Sequence, residues 1–159
     1  MLLISKLVED LSVKLKAKTW KVVTVESCTG GGLSFWLTSL AGSSDWFDRG
    51  YITYSNEAKI DLVDVNPLTL NQFGAVSEQV AKEMAVNALK RSMAQVSISI
   101  TGIAGPSGGT IDKPVGTVWI GVARESITPL ICGYTFKGDR TQIREQAMIN
   151  ALKQVLSIL

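Results

Sequence analysis

A serine at the end of an apolar run is the first residue whose type and position could do chemistry. Ser27 follows the β-branched segment 20–25 and precedes the glycines 30–32. A strand that runs into a glycine-rich helix start exposes such a hydroxyl and surrounds it with backbone N–H groups that lack partners. Those groups can stabilise an oxyanion or hold a phosphate. The segment is not the G-x-S-x-G of a nucleophile elbow, so a helix-capping role for Ser27 stays open.

A lysine is the candidate base for that serine, because the chain contains no histidine. Without histidine, no Ser-His-Asp triad, Cys-His pair or histidine-ligated metal can be built from this chain. A lysine whose pKa is lowered by burial can accept a proton instead. The segment from Tyr54 to Lys59 places a phenol, the amide of Asn56 and an amine within about one helical turn of each other. A solvent-exposed helix lysine is the alternative for Lys59.

The two cysteines, Cys28 and Cys132, form no CxxC pair, so the sequence predicts neither a zinc site nor a disulfide scaffold. Unpaired cysteines favour a reducing, cytoplasmic setting. Cys28 is also a rival nucleophile beside Ser27, because a helix N-terminus lowers the pKa of a thiol. A buried, chemically inert thiol is the alternative.

A turn-rich loop from Thr101 to Thr110 contains four glycines, so its backbone could approach a phosphate or a carboxamide closely. It does not end in Gly-Lys-Ser/Thr and is therefore not a Walker A loop, and no G-x-G-x-x-G follows the first predicted strand. Arg140 comes just after Gly138 and Asp139, where it could clamp an anion. The alternative for this segment is that Asp139 caps the helix and Arg140 faces solvent. The alternative for the loop is that it only connects two strands.

The elements that must position these residues alternate between helices and strands. Leu3, Leu7, Leu11 and Leu15 recur at i+4 and predict an amphipathic helix over 2–17. Strands are predicted at 20–25, 50–54 and 96–100 and near 116–123 and 130–136. Further helices are predicted from the glycine run to Leu40, after the N-cap candidates Ser55 and Ser77, and over 139–157, with 66–76 mostly loop. The apolar stripes are Val80, Ala81, Met84, Ala85, Ala88 and Leu89 after Ser77, and Ile143, Ala147, Ala151 and Val155 in the last helix.

This alternation predicts an α/β fold, with a mixed, mostly parallel sheet of about five strands covered by helices on both faces. In such sheets, ligands bind beyond the carboxyl ends of the strands. Ser27, Tyr54 and Thr101 all lie near predicted strand ends. We therefore expect them to converge on one crevice of a single domain spanning residues 1–159.

The composition narrows the classes of partner. Of the 159 residues, 46% are apolar, which is enough for a sizeable core. The net charge of +2, spread over scattered residues, gives no reason to expect direct nucleic-acid binding. Charged residues interrupt the N-terminal apolar segment, and no run of about 18 apolar residues occurs, so neither a signal peptide nor a membrane span is predicted.

Several blocks occur in a characteristic order over about residues 20–145. They are Glu26-Ser27-Cys28-Thr29-Gly30-Gly31, Thr53-Tyr54-Ser55-Asn56-Glu57-Ala58-Lys59, Gly74-Ala75-Val76-Ser77-Glu78, Thr101-Gly102-Ile103-Ala104-Gly105-Pro106, Gly108-Gly109-Thr110, Lys113-Pro114-Val115-Gly116-Thr117-Val118 and Gly138-Asp139-Arg140. Together they resemble the CinA C-terminal domain family, whose characteristic activity is that of a nicotinamide-nucleotide amidase. A set of motifs in fixed order is far more specific than any one of them.

The resemblance implies a three-layer α/β/α sandwich that hydrolyses nicotinamide mononucleotide to nicotinate mononucleotide and ammonia. It implies a small-molecule nucleotide as substrate, no cofactor or metal, and a homo-oligomer of two or more copies. We interpret Ser27 as nucleophile and Lys59 as its base, acting directly or through Tyr54. The remaining substrate-binding candidates have three roles. Backbone amides near Cys28, Thr29 and Gly102, with the neighbouring Gly30, would stabilise the oxyanion. The side-chain amide of Asn56 would orient the substrate, and Thr101, Gly105 and Arg140 would surround the phosphate.

Two other functions remain open at this point. One is a non-catalytic nucleotide-binding or regulatory protein on the same fold, although a binder would not need Ser27, Tyr54 and Lys59 together. The other is a nucleic-acid-associated competence protein, which the weak charge disfavours.

Overall fold

A five-stranded mixed sheet forms the middle layer of the molecule in the computed structural model, which describes residues 2–159. The strands are β1 (Val22–Glu26), β2 (Phe47–Ile52), β3 (Val96–Gly102), β4 (Thr117–Arg124) and β5 (Leu130–Thr135), in the spatial order β2-β1-β3-β4-β5. β1 pairs in parallel with β2 and β3, whereas β4 runs antiparallel to both β3 and β5. Because only β4 is reversed, the prediction of a mixed, mostly parallel sheet of about five strands is confirmed.

Helices cover both faces of this sheet, so the predicted α/β class and its layers are also confirmed. They are α1 (Leu2–Lys18), α2 (Gly32–Thr38), α3 (Asn56–Val63), α4 (Pro67–Phe73), α5 (Glu78–Lys90) and α6 (Arg140–Leu156), with a 3-10 turn at Ser43–Asp45. One core joins α1, α2 and α6 to the sheet, and a second core joins α3, α4 and α5 to the opposite face. Within residues 2–159, no helix is both long and apolar enough to cross a bilayer.

The buried face of α1 differs from the predicted one. Leu11 and Leu15 are buried as expected, but their partners in the core are Ile4 and Val8, while Leu3 is 48% exposed. The physical reason is helical geometry: each step of four residues turns by about 400°, so a strict i+4 series drifts off a face by about 40° per step. In α5 and α6 the predicted stripes do face the core, with only Leu89 half-buried.

Residues 66–76 were expected to be mostly loop, and that expectation is wrong over α4. Asn66 caps this helix by accepting a hydrogen bond from the amide of Leu68, and Pro67 occupies the first turn. Proline is well suited to that position because its missing N–H would have no helical partner there. The strand bounds also shift by a few residues, since β2 starts at Phe47 and β1 at Val22.

Hydroxyl groups attach α5 to the underside of β3. Ser97 donates to the carbonyl of Ala85 at 2.6 Å, and Ser99 donates to the carbonyl of Ala81 at 2.7 Å. Both serines are fully buried, so these bonds satisfy groups that would otherwise lose water without compensation. Position 121 on β4 is glycine, and this lets the helix approach the sheet closely.

The order of the strands determines where a ligand crevice opens. From β1 the chain moves to β2 on one side, and from β2 it crosses to β3 on the other side of β1. Such a reversal of direction leaves a crevice at the carboxyl ends of β1 and β3. Ser27 lies at one of these two strand ends and Gly102 at the other.

Candidate active site

The turn after β1 presents the hydroxyl of Ser27 at the crevice. The amide of Ser27 donates to the carbonyl of Ile100 at 2.9 Å, which extends the β1–β3 pairing by one residue. The carbonyl of Ser27 then accepts from the amide of Gly30 at 2.9 Å, closing a tight turn before α2. Gly30 and Gly31 have φ values of 57° and 90°, which L side chains rarely adopt. The glycines are therefore required for the turn that exposes Ser27.

Glu26, the last residue of β1, fixes the other end of this turn. Its carboxylate is fully buried and accepts from the amide of Leu33 at 3.0 Å. It also accepts from the amide and the hydroxyl of Ser34, at 2.8 and 2.7 Å. A carboxylate at a helix N-terminus satisfies unpaired N–H groups and interacts favourably with the helix dipole. Glu26 thus acts as a long-range cap of α2.

Lys59 reaches Ser27 from α3. Ser55 caps that helix by accepting from the amide of Ala58 at 3.0 Å, as its sequence position predicted. One turn later, the Lys59 side chain enters the protein, where the residue is only 1% exposed. Its Nζ donates to Ser27 Oγ at 3.1 Å and to the carbonyl of Thr53 at 2.8 Å. The solvent-exposed alternative for Lys59 is therefore wrong.

Burial moves the proton affinities of two neighbouring groups in opposite directions. Loss of water around Lys59 lowers its pKa to about 8. The same loss of water raises the pKa of the Cys28 thiol to about 11. Near neutral pH, about a tenth of Lys59 is therefore neutral and able to accept a proton, whereas Cys28 stays a thiol. These shifts favour Ser27 over Cys28 as nucleophile.

A pocket of about 250 Å³ opens over the Ser27 hydroxyl. It is lined by Ser27, Cys28, Tyr54, Gly102, Ile103, Ala104, Gly105, Ser107, Gly108 and Arg140. The carbonyl of Ile100 points toward β1. Residues two apart in a strand share the same direction, so the amide of Gly102 also points to that side, past the end of β1. A Cβ at position 102 would lie 2.7 Å from Val118 Cγ2, so only glycine fits there.

Arg140, at the start of α6, joins two sides of the pocket mouth. Its Nη1 donates to the carbonyl of Gly105 at 2.8 Å, and its Nη2 donates to the Tyr54 hydroxyl at 3.0 Å. The arginine is exposed, and Tyr54 is 59% exposed. A guanidinium has five N–H donors, so donors remain for an anion arriving from solvent.

A second arginine, one turn further along α6, lies behind the Ser27 turn. Arg144 Nη2 donates to the carbonyl of Thr29 at 2.9 Å. Within the described part of the chain, the buried Nε of Arg144 and the buried hydroxyl of Thr29 have no hydrogen-bond partner. The arginine therefore supports the turn from the side of α6, away from the pocket.

Comparison with known proteins identifies the family. The sequence model of the CinA C-terminal domain matches residues 4–159. The chain belongs to this family. It is 50% identical over 147 residues to nicotinamide-nucleotide amidohydrolase PncC of Enterobacter agglomerans, covering 92% of this chain and 90% of that protein. The protein of the same name from Escherichia coli strain K12 is 50% identical over 151 residues, covering 93% and 90%.

The fold of this CinA C-terminal domain also matches that of solved structures. The crystal structure of the competence/damage inducible protein CihA from Agrobacterium tumefaciens superimposes with a TM-score of 0.96 at 39% sequence identity. The match covers 98% of this chain and 95% of that one. The family and fold implied by the sequence motifs are therefore confirmed.

Six of the eleven site residues predicted for this CinA domain line the pocket: Ser27, Cys28, Tyr54, Gly102, Gly105 and Arg140. Lys59 is buried and contacts Ser27 without lining the pocket. The other four do not line it either. Thr101 lies within β3, is buried, and donates to the carbonyl of Ala75 at 2.8 Å. Asn56 is the exposed first residue of α3. Thr29 and Gly30 belong to the turn that carries Ser27.

Sequence reasoning missed two residues that support the site, Glu26 and Arg144. An acidic residue directly between a buried strand and a glycine-rich helix start is a detectable signal for a helix-capping carboxylate. Arg144 lies four residues after Arg140 and thus on the same side of α6, which was a weaker signal.

Proposed function

We propose that this protein is a nicotinamide-nucleotide amidohydrolase, with Ser27 as nucleophile and Lys59 as general base. The two PncC proteins that it resembles along nine-tenths of their length carry that activity in their names. The observation that carries the proposal is the 3.1 Å contact between Lys59 Nζ and Ser27 Oγ at the base of a pocket. A buried lysine in contact with a serine in the turn between β1 and α2 supports acyl transfer more directly than simple binding.

The first half of the reaction forms an ester with Ser27. Neutral Lys59 takes the proton of the Ser27 hydroxyl while Oγ attacks the carboxamide carbon of nicotinamide mononucleotide. The amide of Gly102, which points past the end of β1, is the main donor that we assign to the developing oxyanion. The amides of Cys28 and Thr29 are further donors, since no backbone carbonyl within residues 2–159 accepts from them. Protonated Lys59 then gives its proton to the leaving nitrogen, and ammonia departs.

The second half of the reaction releases the acid. Lys59, neutral again, takes a proton from a water molecule that attacks the ester carbon, and the bond to Ser27 Oγ breaks. Nicotinate mononucleotide leaves, and the proton returns to Ser27. The direct contact between Lys59 and Ser27 supports proton transfer without Tyr54, because the Tyr54 hydroxyl is paired with Arg140 at the mouth.

Positive charge and free backbone at the pocket mouth support binding of the phosphate. Arg140 carries N–H donors beyond the two that contact Gly105 and Tyr54. The glycine-rich segment after β3 forms the facing wall and allows close approach of an anion. Asn56, at the start of α3, remains a candidate for orienting the substrate.

Both cysteines are free thiols, in keeping with a cytoplasmic setting.

The proposal is tested by measuring ammonia release from nicotinamide mononucleotide by the purified protein. Two comparison substrates are used: nicotinamide riboside, which lacks the phosphate, and nicotinamide, which lacks the whole ribose phosphate. We expect release from the mononucleotide, with kcat/KM falling by about tenfold or more without the phosphate. Binding of the mononucleotide by calorimetry with no ammonia released would instead favour a non-catalytic nucleotide-binding protein.

A further inference from the structure

The candidate nucleophile and its base are connected to one another through the backbone of two further residues, Glu26 and Thr53. Ser27 follows Glu26 in the chain, so the peptide between them fixes where Ser27 starts. The carbonyl of Glu26 accepts from the amide of Thr53 at 2.8 Å. The carbonyl of Thr53 in turn accepts from Lys59 Nζ at 2.8 Å, and Nζ contacts Ser27 Oγ. These contacts close a ring that passes from Glu26 through Thr53, Lys59 and Ser27.

The side chain of Glu26 ties this ring to the start of α2. Its two carboxylate oxygens accept three hydrogen bonds, from the amide of Leu33 and from the amide and hydroxyl of Ser34. The side chain is fully buried, and all three donors lie on one helix. Each donor needs an acceptor, so replacing one carboxylate oxygen by an NH₂ group would set a donor against a donor. Loss of these bonds would release the turn from Ser27 to Gly31.

We propose that Glu26 is a positioning residue, which holds Ser27 against Lys59 by anchoring both ends of the turn. The inference rests on the proposed function for Ser27 and Lys59. Glu26 itself does not line the pocket. Its effect is on the rate of attack by Ser27, while the pocket residues on β3 and α6 that would bind substrate are left in place. The expected signature is a loss of kcat with little change in KM.

Two substitutions test this role, and a third serves as a matched control. Glu26→Gln keeps the size of the side chain and removes one acceptor. Ser34→Ala removes the hydroxyl that donates to Glu26 and that also contacts Thr24 Oγ1 at 2.7 Å, while Glu26 keeps its two backbone donors. This variant decides the question should Glu26→Gln fail to fold. Ser97→Ala also deletes a buried hydroxyl with one short hydrogen bond, but it lies near the opposite end of the sheet.

The measurement is the rate at which a fluorophosphonate labels Ser27, at temperatures well below each variant's Tm. In this reaction the Oγ–P bond forms, the P–F bond breaks, and fluoride leaves with the serine proton taken by Lys59. We expect labelling and kcat to fall by about tenfold or more in Glu26→Gln. In Ser34→Ala we expect a smaller fall, of about threefold to tenfold, because only one of the three hydrogen bonds to the Glu26 carboxylate is lost. Ser97→Ala should label at the rate of the unsubstituted protein.

The pH dependence of labelling separates positioning from a direct effect of the Glu26 charge on Lys59. If Glu26 only positions Ser27, its substitution lowers the height of the pH profile and leaves the midpoint unchanged. A midpoint that moves to lower pH would overturn the inference, as would labelling rates in both variants within twofold of Ser97→Ala. Absence of labelling in the unsubstituted protein would overturn it too. Labelling that follows the expected pattern without ammonia release would uphold the positioning role and refute the proposed substrate.

Discussion

The buried hydroxyls of β3 and the hydroxyl at the end of β1 lie on neighbouring strands but differ in their hydrogen-bond partners. The former donate to carbonyls, and the latter accepts from an amine. Ser97 and Ser99 donate to carbonyls of α5, so each has its hydrogen committed to an acceptor that cannot take it as a proton. Ser27 instead accepts from an amine whose pKa is lowered to about 8. The same functional group thus stabilises the fold in one place and is poised for proton transfer in the other. The partner of the hydroxyl, more than its burial, distinguishes the two.

The strongest way to test this comparison is to delete the reacting hydroxyl. Ser27→Ala should lower kcat for ammonia release by about 10³-fold or more, because the covalent route disappears. Far-ultraviolet circular dichroism and the Tm serve as controls for folding. A folded Ser27→Ala variant with more than a tenth of the original kcat would contradict the assignment of Ser27 as nucleophile.

Removing the base should have a slightly smaller effect. Lys59→Met is expected to lower kcat by about 10²- to 10⁴-fold, the usual worth of general acid–base catalysis. Lys59→Arg should be as inactive, since a guanidinium keeps its proton at any ordinary pH. Stopped assays of ammonia release would show both effects. High activity in Lys59→Arg would mean that the positive charge matters rather than proton transfer.

The pH dependence should follow Lys59 in both rate and stability. kcat/KM is expected to rise with pH, with a midpoint near the Lys59 pKa of about 8. The folded chain binds this proton less tightly than the unfolded chain, whose lysine has a pKa of 10.5, so stability gains from rising pH between these values. Denaturant unfolding would compare the free energy of unfolding of the original protein with that of Lys59→Met. The cost of burying a charged lysine, which only the original protein bears, should be largest below pH 8 and should shrink as the pH approaches 10.5. A pH-independent difference would argue against a protonated, buried Lys59 at neutral pH.

Deleting a hydroxyl on β3 should have the smallest effect on catalysis and a measurable one on stability. Ser99→Ala leaves the carbonyl of Ala81 and the amide of Gly121 without the partner they share. We expect the free energy of unfolding to fall by about 1–3 kcal/mol and kcat to stay within about twofold. Urea unfolding and steady-state kinetics on the same preparation test both parts. A large loss of kcat in a stable Ser99→Ala variant would mean that the two groups of hydroxyls do not act independently.

Local patterns in the sequence were sufficient for the elements and for the central pair of the site. The strand before Ser27, the cap at Ser55 and the absence of histidine pointed to the nucleophile and its base. The direction of Thr101 could not be predicted, because a shift of one residue in a strand turns a side chain to the other face. The bond between Arg140 and Tyr54 joins residues 86 positions apart, and no local rule gives such a pairing. The cap provided by Glu26 acts seven and eight residues away, beyond the ordinary N-cap distance.

The loop between β3 and β4 is closed by hydrogen bonds at its base and exposed to solvent around Ile111. Ile103 donates its amide to the carbonyl of Thr117 at 2.9 Å, and its carbonyl accepts from the amide of Gly116 at 2.8 Å. The intervening segment carries exposed residues, among them Ile111, which is 100% exposed. We therefore expect insertions or replacements around Ile111 to leave Gly102 and the strand ends undisturbed. Over evolutionary time, such a loop can change which molecules enter the pocket while the chemistry below it is inherited intact.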